Sequence, residues 1–500
     1  MLCIAQFLPL LFKSDVSTEP PIHRSTETPV SAPPVQVRFS GMKPQTRASG
    51  ANSDDLLPRI FAGMFGAFLG LCLLKFGNPP ITEKWITAPT NVWELLLGYP
   101  WPIAWAYWLL ALVGVVGMAV VQRKSARAWW LVALPLVWLV WQFIAGTQSV
   151  ELDLTSATLK HFAAGVLCFY LGYFSLSRAR RVGLFWVGLV CGLLAVLAVG
   201  WEQQFGGLKE THRYFFLYVY PQLKEVSPEY LKRMSSDRIF STLFYPNTLA
   251  GALLLLLPAT LAALWQARQL MTSAARWFLI GLVGIAGLAC LYWSGSKGGW
   301  LLMLLLGLIA LLRLPFNQRL KIALVTGILI AGLAGFFWRH SGFFKKGATS
   351  VSARFDYWRA AVQTARDKPL FGTGPGTFAI AYQKVKRPES EMARLVHNDY
   401  LEQASDSGLV GFLAYALFFA GALIRSFPRP DRASETQPQD WLTFAVWLGV
   451  LGWALQSFAE FGLYIPALAW TAFALLGWLL GKRNPAQSSG PMSHGQPSPP

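Results

Sequence analysis

The chain has 500 residues, 54% of them hydrophobic and 14% charged, with a formal net charge of +18. Soluble domains average about 25% charged residues, so this composition, with a mean hydropathy of +0.40 and recurrent apolar runs, excludes an ordinary soluble protein and points to a polytopic membrane protein. The positive charge does not call for a nucleic-acid partner, because many of the cations stand in short loops between apolar runs, where they orient the chain in the bilayer.

In chain order, residues 1–57 open with an apolar run too short to span. They continue in Pro, Ser and Thr without a hydrophobic period, which predicts a disordered cytoplasmic tail. Residues 58–481 form the membrane domain. About twelve transmembrane helices are predicted, at 60–76, 101–121, 128–145, 160–176, 182–201, 242–265, 277–293, 300–312, 321–338, 409–424, 441–461 and 467–480. Residues 482–500 form a second disordered cytoplasmic tail. With the N-terminus inside, every inside loop carries Arg or Lys, whereas 148–158 holds Glu151 and Asp153 and no cation. The positive-inside rule therefore predicts both termini in the cytoplasm. Two long loops then fall outside, 202–241 and 340–408. The five cysteines include no CxxC pair and none in an outer loop, so neither a disulfide nor a zinc site is expected.

The chemistry concentrates in 354–412, where cations, glycines and a histidine replace the apolar pattern. SARFDYWRAAVQTARDKP reads as a helix ended by Pro369. Arg354 and Trp358 share one of its faces, and Tyr357 and Trp358 are expected at the membrane interface. FGTGPGTF, with Gly374 and Gly376, reads as a tight turn rather than a phosphate cradle, because it lacks a strand–turn–helix setting. In LVHNDYLEQASDSGLVGF, His397, Leu401 and Ala404 are predicted on one helical face, and Gly408 as a helix stop before the tenth span. His397 is the side chain best matched to proton transfer. Arg238 precedes the sixth span, with Asn247 in its first turns. Lys297 lies in SGSKGGW, and Glu460 at the outer end of the eleventh span. Cations converging from several helix ends suit a diphosphate, and Glu460 is expected to pair with one of them, since an unpaired carboxylate at that depth is costly. The plain alternatives are a structural histidine, an interfacial lysine and a snorkelling arginine. Glu151-x-Asp153 has the spacing of an acidic metal-holding pair but stands alone.

RFDYW, PLFGTGPGTF and HNDYLEQASDSGLVGF occur in that order in one large outer loop before the last three spans. Together with RIFSTLFYPNTLAG and SGSKGGW, this pattern resembles the O-antigen ligase and polymerase family of bacterial envelope proteins. The resemblance implies an all-α, GT-C-like fold whose large outer loop is helical. It also implies a metal-independent glycosyltransferase of the inner membrane that needs no cofactor. The donor would be a polyprenyl-diphosphate-linked glycan, and the acceptor lipid A-core or a growing polysaccharide. Carried over, His397 is the essential loop histidine. Arg238 and Arg354 are carrier-diphosphate cations, and Lys297 stands where the family has Arg, keeping the charge but losing bidentate geometry. Asn247, Trp358, Gly374, Gly376, Asn398 and Glu460 are expected in support, and no metal ligand is expected. The alternative is a membrane transporter or inorganic-carbon-uptake-like protein sharing the fold. Transporters place polar groups near the bilayer midplane, whereas here the charges crowd the outer helix ends.

Overall fold

A computed structural model describes residues 56–482 apart from 99, 122–128, 180, 223–230, 232–234, 346–348, 389 and 429–439. The predicted tails, apart from their edges at 56–57 and 482, and several of the loop cations lie outside the described residues. Among the described residues sixteen α-helices follow one another and no strand occurs. They are α1 (Leu56–Lys75), α2 (Val92–Leu97), α3 (Ile103–Ala119), α4 (Trp129–Gly146), α5 (Leu152–Tyr170), α6 (Gly183–Glu202), α7 (Leu208–Tyr214) and α8 (Pro246–Gln266), then α9 (Ser273–Ser294), α10 (Lys297–Arg313), α11 (Gln318–Lys345), α12 (Thr349–Asp367), α13 (Phe378–Val385), α14 (Asp399–Ser426), α15 (Trp441–Gln456) and α16 (Pro466–Lys482).

Each of the twelve predicted spans falls on a helix. Among the described residues eight helices are long and apolar enough to cross a membrane. The other four predicted spans coincide with α3, α10, α15 and α16, of 16 or 17 residues, close to the lower limit for a ~30 Å hydrocarbon core. This is a multi-pass membrane protein.

Local chemistry sets the helix ends. Pro246 and Pro466 start α8 and α16, where a missing N–H costs no hydrogen bond. Ser296 and Asn398 cap α10 and α14, their side chains accepting from Gly299 N at 3.3 Å and Leu401 N at 3.1 Å. The core forms where helices bury every face. Residues Pro466 to Gly481 of α16 are all buried, which makes it the central post, whereas α11 is almost wholly exposed on the periphery. Small residues bring α1 and α6 into backbone contact. Gly66 and Gly70 face Gly188 and Gly192, and a Cβ on Gly70 would lie 2.3 Å from Gly188 O.

The stretch between α11 and α14 folds as a helical cap with its own small core. Tyr357 and Ala361 of α12 meet Phe378 and Tyr382 of α13 and Val396 there. One expectation fails in this cap. Tyr357 is buried, 7% exposed, and its ring packs on Tyr382 and His397 instead of facing lipid. Gly408 ends the first helical stretch of α14 just before the tenth span, as expected. Its backbone (φ 71°, ψ −177°) breaks α14 internally, and the helix resumes at once. A Cβ there would lie 2.0 Å from Leu370 O, so only glycine fits the turn that follows α12.

Candidate active site

Arg238, Asn247, Lys297, Arg354, His397 and Glu460 all come together at one place in the fold. Five of them, all but His397, line an open cavity of about 110 Å³ together with Gly295–Gly299, Ser350 and Gln456. At about 10–15 Å³ per water position, that holds several waters. Arg238 comes from the extended segment ahead of α8. Its Nε donates to Ser294 O at 2.6 Å and its Nη2 to Asn247 Oδ1 at 2.8 Å. Asn247, in the first turn of α8, passes the link on, with Nδ2 donating to Glu460 Oε1 at 2.6 Å. Arg354 of α12 forms an ion pair with that same carboxylate oxygen. The second oxygen, Oε2, lies 3.3 Å from His397 Nδ1. One carboxylate therefore joins the cap to the bundle and the histidine to two arginines.

The electrostatics are unbalanced. Arg238, Lys297 and Arg354 face a single carboxylate among the lining residues, and the N-terminal turn of α10 turns its glycine-rich backbone to the same cavity. Burial pushes the Lys297 amine down to about 8, and the charges of Arg238, Arg354 and Arg339 push the same way. Burial also depresses Arg238, with Glu460 opposing and Arg354 adding to the effect. Lys297 further rests on the Phe343 ring, 3.9 Å from its centroid. Clustered cations with an excess over their counter-charge, beside a helix N-terminus, can bind an anion carrying more than one negative charge.

His397 is not on a helical face with Leu401 and Ala404. It has left-handed backbone (φ 56°) one residue before the Asn398 cap, outside α14. Non-glycine residues adopt that geometry uncommonly, at a cost of about 1 kcal/mol or more. The ring is held between Tyr357 at 5.9 Å, stacked, and Phe461 at 4.8 Å, edge-on. Asn398 supports the histidine by capping the next helix.

Other expected supports sit elsewhere. Trp358 packs against the small core of the cap, outside the cavity lining. Gly372, Gly374 and Gly376 all have positive φ, and the turn's N–H groups are spent within the protein. Gly374 N donates to Asp406 O at 2.8 Å and Gly376 N to Asp406 Oδ2 at 2.7 Å. The glycines thus dock the turn on α14 and do not cradle a ligand. Glu151 and Asp153 stand at the N-terminus of α5, suited to its dipole, and no three His, Cys, Asp or Glu side chains gather as metal donors among the described residues.

Two glutamines escaped the sequence reading. Gln456 Nε2 donates to Asn247 O at 2.8 Å, tying α15 to α8 at the cavity. Buried Gln203 accepts from Phe240 N at 3.0 Å and Ser241 N at 2.7 Å and donates to Ser241 O at 3.1 Å, so it holds the segment that carries Arg238. An amide at the end of an otherwise apolar span was the available signal for both.

Residues 282–416 match the O-antigen ligase family model. The matched O-antigen ligase region contains Lys297, Arg354 and His397, while Arg238, Asn247 and Glu460 join it from outside through the tertiary structure. An uncharacterized protein of Haemophilus influenzae (strain Rd) is 31% identical over 147 residues, 25% of this chain and 37% of the relative. The match therefore spans little more than a third of that relative's length.

Proposed function

We propose that this protein transfers a glycan from a polyprenyl-diphosphate carrier to an acceptor hydroxyl, on lipid A-core or on a growing polysaccharide, at the outer face of the bacterial inner membrane. The observation that carries the reading is the shared Glu460 carboxylate, which couples a histidine to a pocket holding excess positive charge.

In this reading the diphosphate lies among Arg238, Lys297 and Arg354, with its sugar toward His397. An Nδ1–H directed at Glu460 leaves the ring's lone pair on Nε2, available to the acceptor hydroxyl. The acceptor oxygen bonds to the anomeric carbon while the bond from that carbon to the diphosphate oxygen breaks. The hydroxyl proton passes to Nε2, and the electron pair leaves with the diphosphate. The cations meet the charge as it grows on the leaving oxygens, which is stabilisation of the transition state more than of the ground state. Glu460 offsets the imidazolium that forms and keeps Arg354 aimed at the cavity. Supporting the assignment of side are the positive-inside distribution of the loop cations and the match to the O-antigen ligase family.

The test is His397→Ala in cells lacking the native gene. Glycan transfer should fall by about 10²-fold or more, the range of general-base contributions, with the protein still present in the membrane fraction. Full transfer by that variant removes His397 from the mechanism.

A further inference from the structure

The helix that begins at Gly183 runs on, by apolar character, to Tyr218, 36 residues in all. At ~1.5 Å per residue that is about 54 Å, far more than a ~30 Å hydrocarbon core accepts. The chain resolves the excess with a sharp break. Phe205 (φ −96°, ψ 22°) and Gly206 (φ 144°, ψ −36°) leave helical geometry directly after α6 has supplied a full span. Trp201, Phe205 and Trp293 cluster at the break, with ring centroids 5.0 to 5.7 Å apart. Such a cluster marks the aromatic belt at the membrane–water boundary.

Beyond the break the surface is aromatic where an aqueous loop would be polar. Tyr214, Phe216, Leu217, Tyr218 and Tyr220 are all exposed, Tyr218 at 60%, while Leu208 and Phe215 turn inward. Lys209, Glu210 and Arg213 are exposed on the same stretch. A segment of this make-up, following a span and starting at the belt, fits the interface, where aromatic rings and Lys and Arg side chains both reach the headgroup layer. The segment is also wired to the cavity. Gln203, at the base of the break, holds Phe240 and Ser241, and Ile239 N bonds to Trp293 O at 3.4 Å. Arg238 therefore sits at the level of the belt.

We propose that residues 208–220 form an interfacial helix lying in the phospholipid headgroup layer on the cavity side, so that the cavity opens at the depth of the headgroup phosphates. The occupant of the exposed aromatic face is the bilayer itself. This inference is independent of the proposed reaction.

Photo-crosslinking of the full chain in native membranes tests it, with p-benzoylphenylalanine replacing Tyr214 or Tyr218 in separate variants and Lys384, exposed on the cap, as control. Both aromatic positions should yield phospholipid adducts by mass spectrometry, several-fold above the control. Adducts to another protein, or lipid adducts no more frequent than at Lys384, overturn the proposal. Using two positions guards against loss of one variant to misfolding, and neither replacement touches the cation pocket.

Discussion

At the residue scale, the site depends on how few counter-charges serve so many cations. Lys297 reports this most directly. Its amine, pulled down to about 8 by burial and three arginines, is protonated below that pH and loses its charge as pH rises through it. Anion binding favours the protonated form, so affinity for a diphosphate ligand should be highest below about pH 8 and fall above it. Charge-assisted hydrogen bonds contribute about 1.5–3 kcal/mol, so the fall should approach ten-fold or more. Lys297→Arg, always charged in this range, should flatten the profile, as measured by titrating a polyprenyl-diphosphate analogue at about pH 7 and pH 9. An unchanged profile would separate Lys297 from the anion. Residue identities were legible in the sequence because Arg, Lys, His and Glu are conspicuous against apolar spans. The geometry of His397 was not, because the rings of Tyr357 and Phe461 that hold it come from distant parts of the chain and its left-handed backbone follows no local pattern.

At the element scale, helices that approach to backbone contact position everything above them. A Cβ added to Gly188 would meet Ala67 N at 2.4 Å and one added to Gly192 would meet Gly70 Cα at 2.5 Å. Gly188→Leu should therefore force α1 from α6 and cost about 1–3 kcal/mol, the range for overpacked cores. Thermal unfolding of the detergent-solubilised protein measures it, and an unaltered melting temperature would contradict the close packing. The glycine-rich turn teaches the complementary lesson. Its N–H groups suit a phosphate or a carboxylate equally well by sequence, and the carboxylate they meet, Asp406, lies 30 residues away on α14. Spacing along the chain carries no information about that partner. The same holds for Tyr357, whose interfacial placement followed from composition and whose burial followed from the cap's small core.

At the scale of the whole molecule, the proposed reaction predicts what the cell surface loses. Deleting the gene should remove all long chains from lipid A-core if lipid A-core is the acceptor, or leave single-repeat caps if the acceptor is a growing polysaccharide, as read by gel analysis of surface glycans. Unchanged surface glycans would refute the transferase reading. The sequence by itself determined the all-helical membrane class and the positions of the apolar spans, because hydrocarbon tolerates only segments that satisfy their own backbone and run about 20 residues. It also determined which side chains carry charge at the helix ends. Only the tertiary structure decided that Arg238, Asn247 and Glu460, far from the cap in sequence, close one hydrogen-bonded circuit with Arg354 and His397. Three separate parts of the chain have to converge before a single carboxylate can touch Asn247, Arg354 and His397, and that convergence is a property of packing rather than of any local pattern.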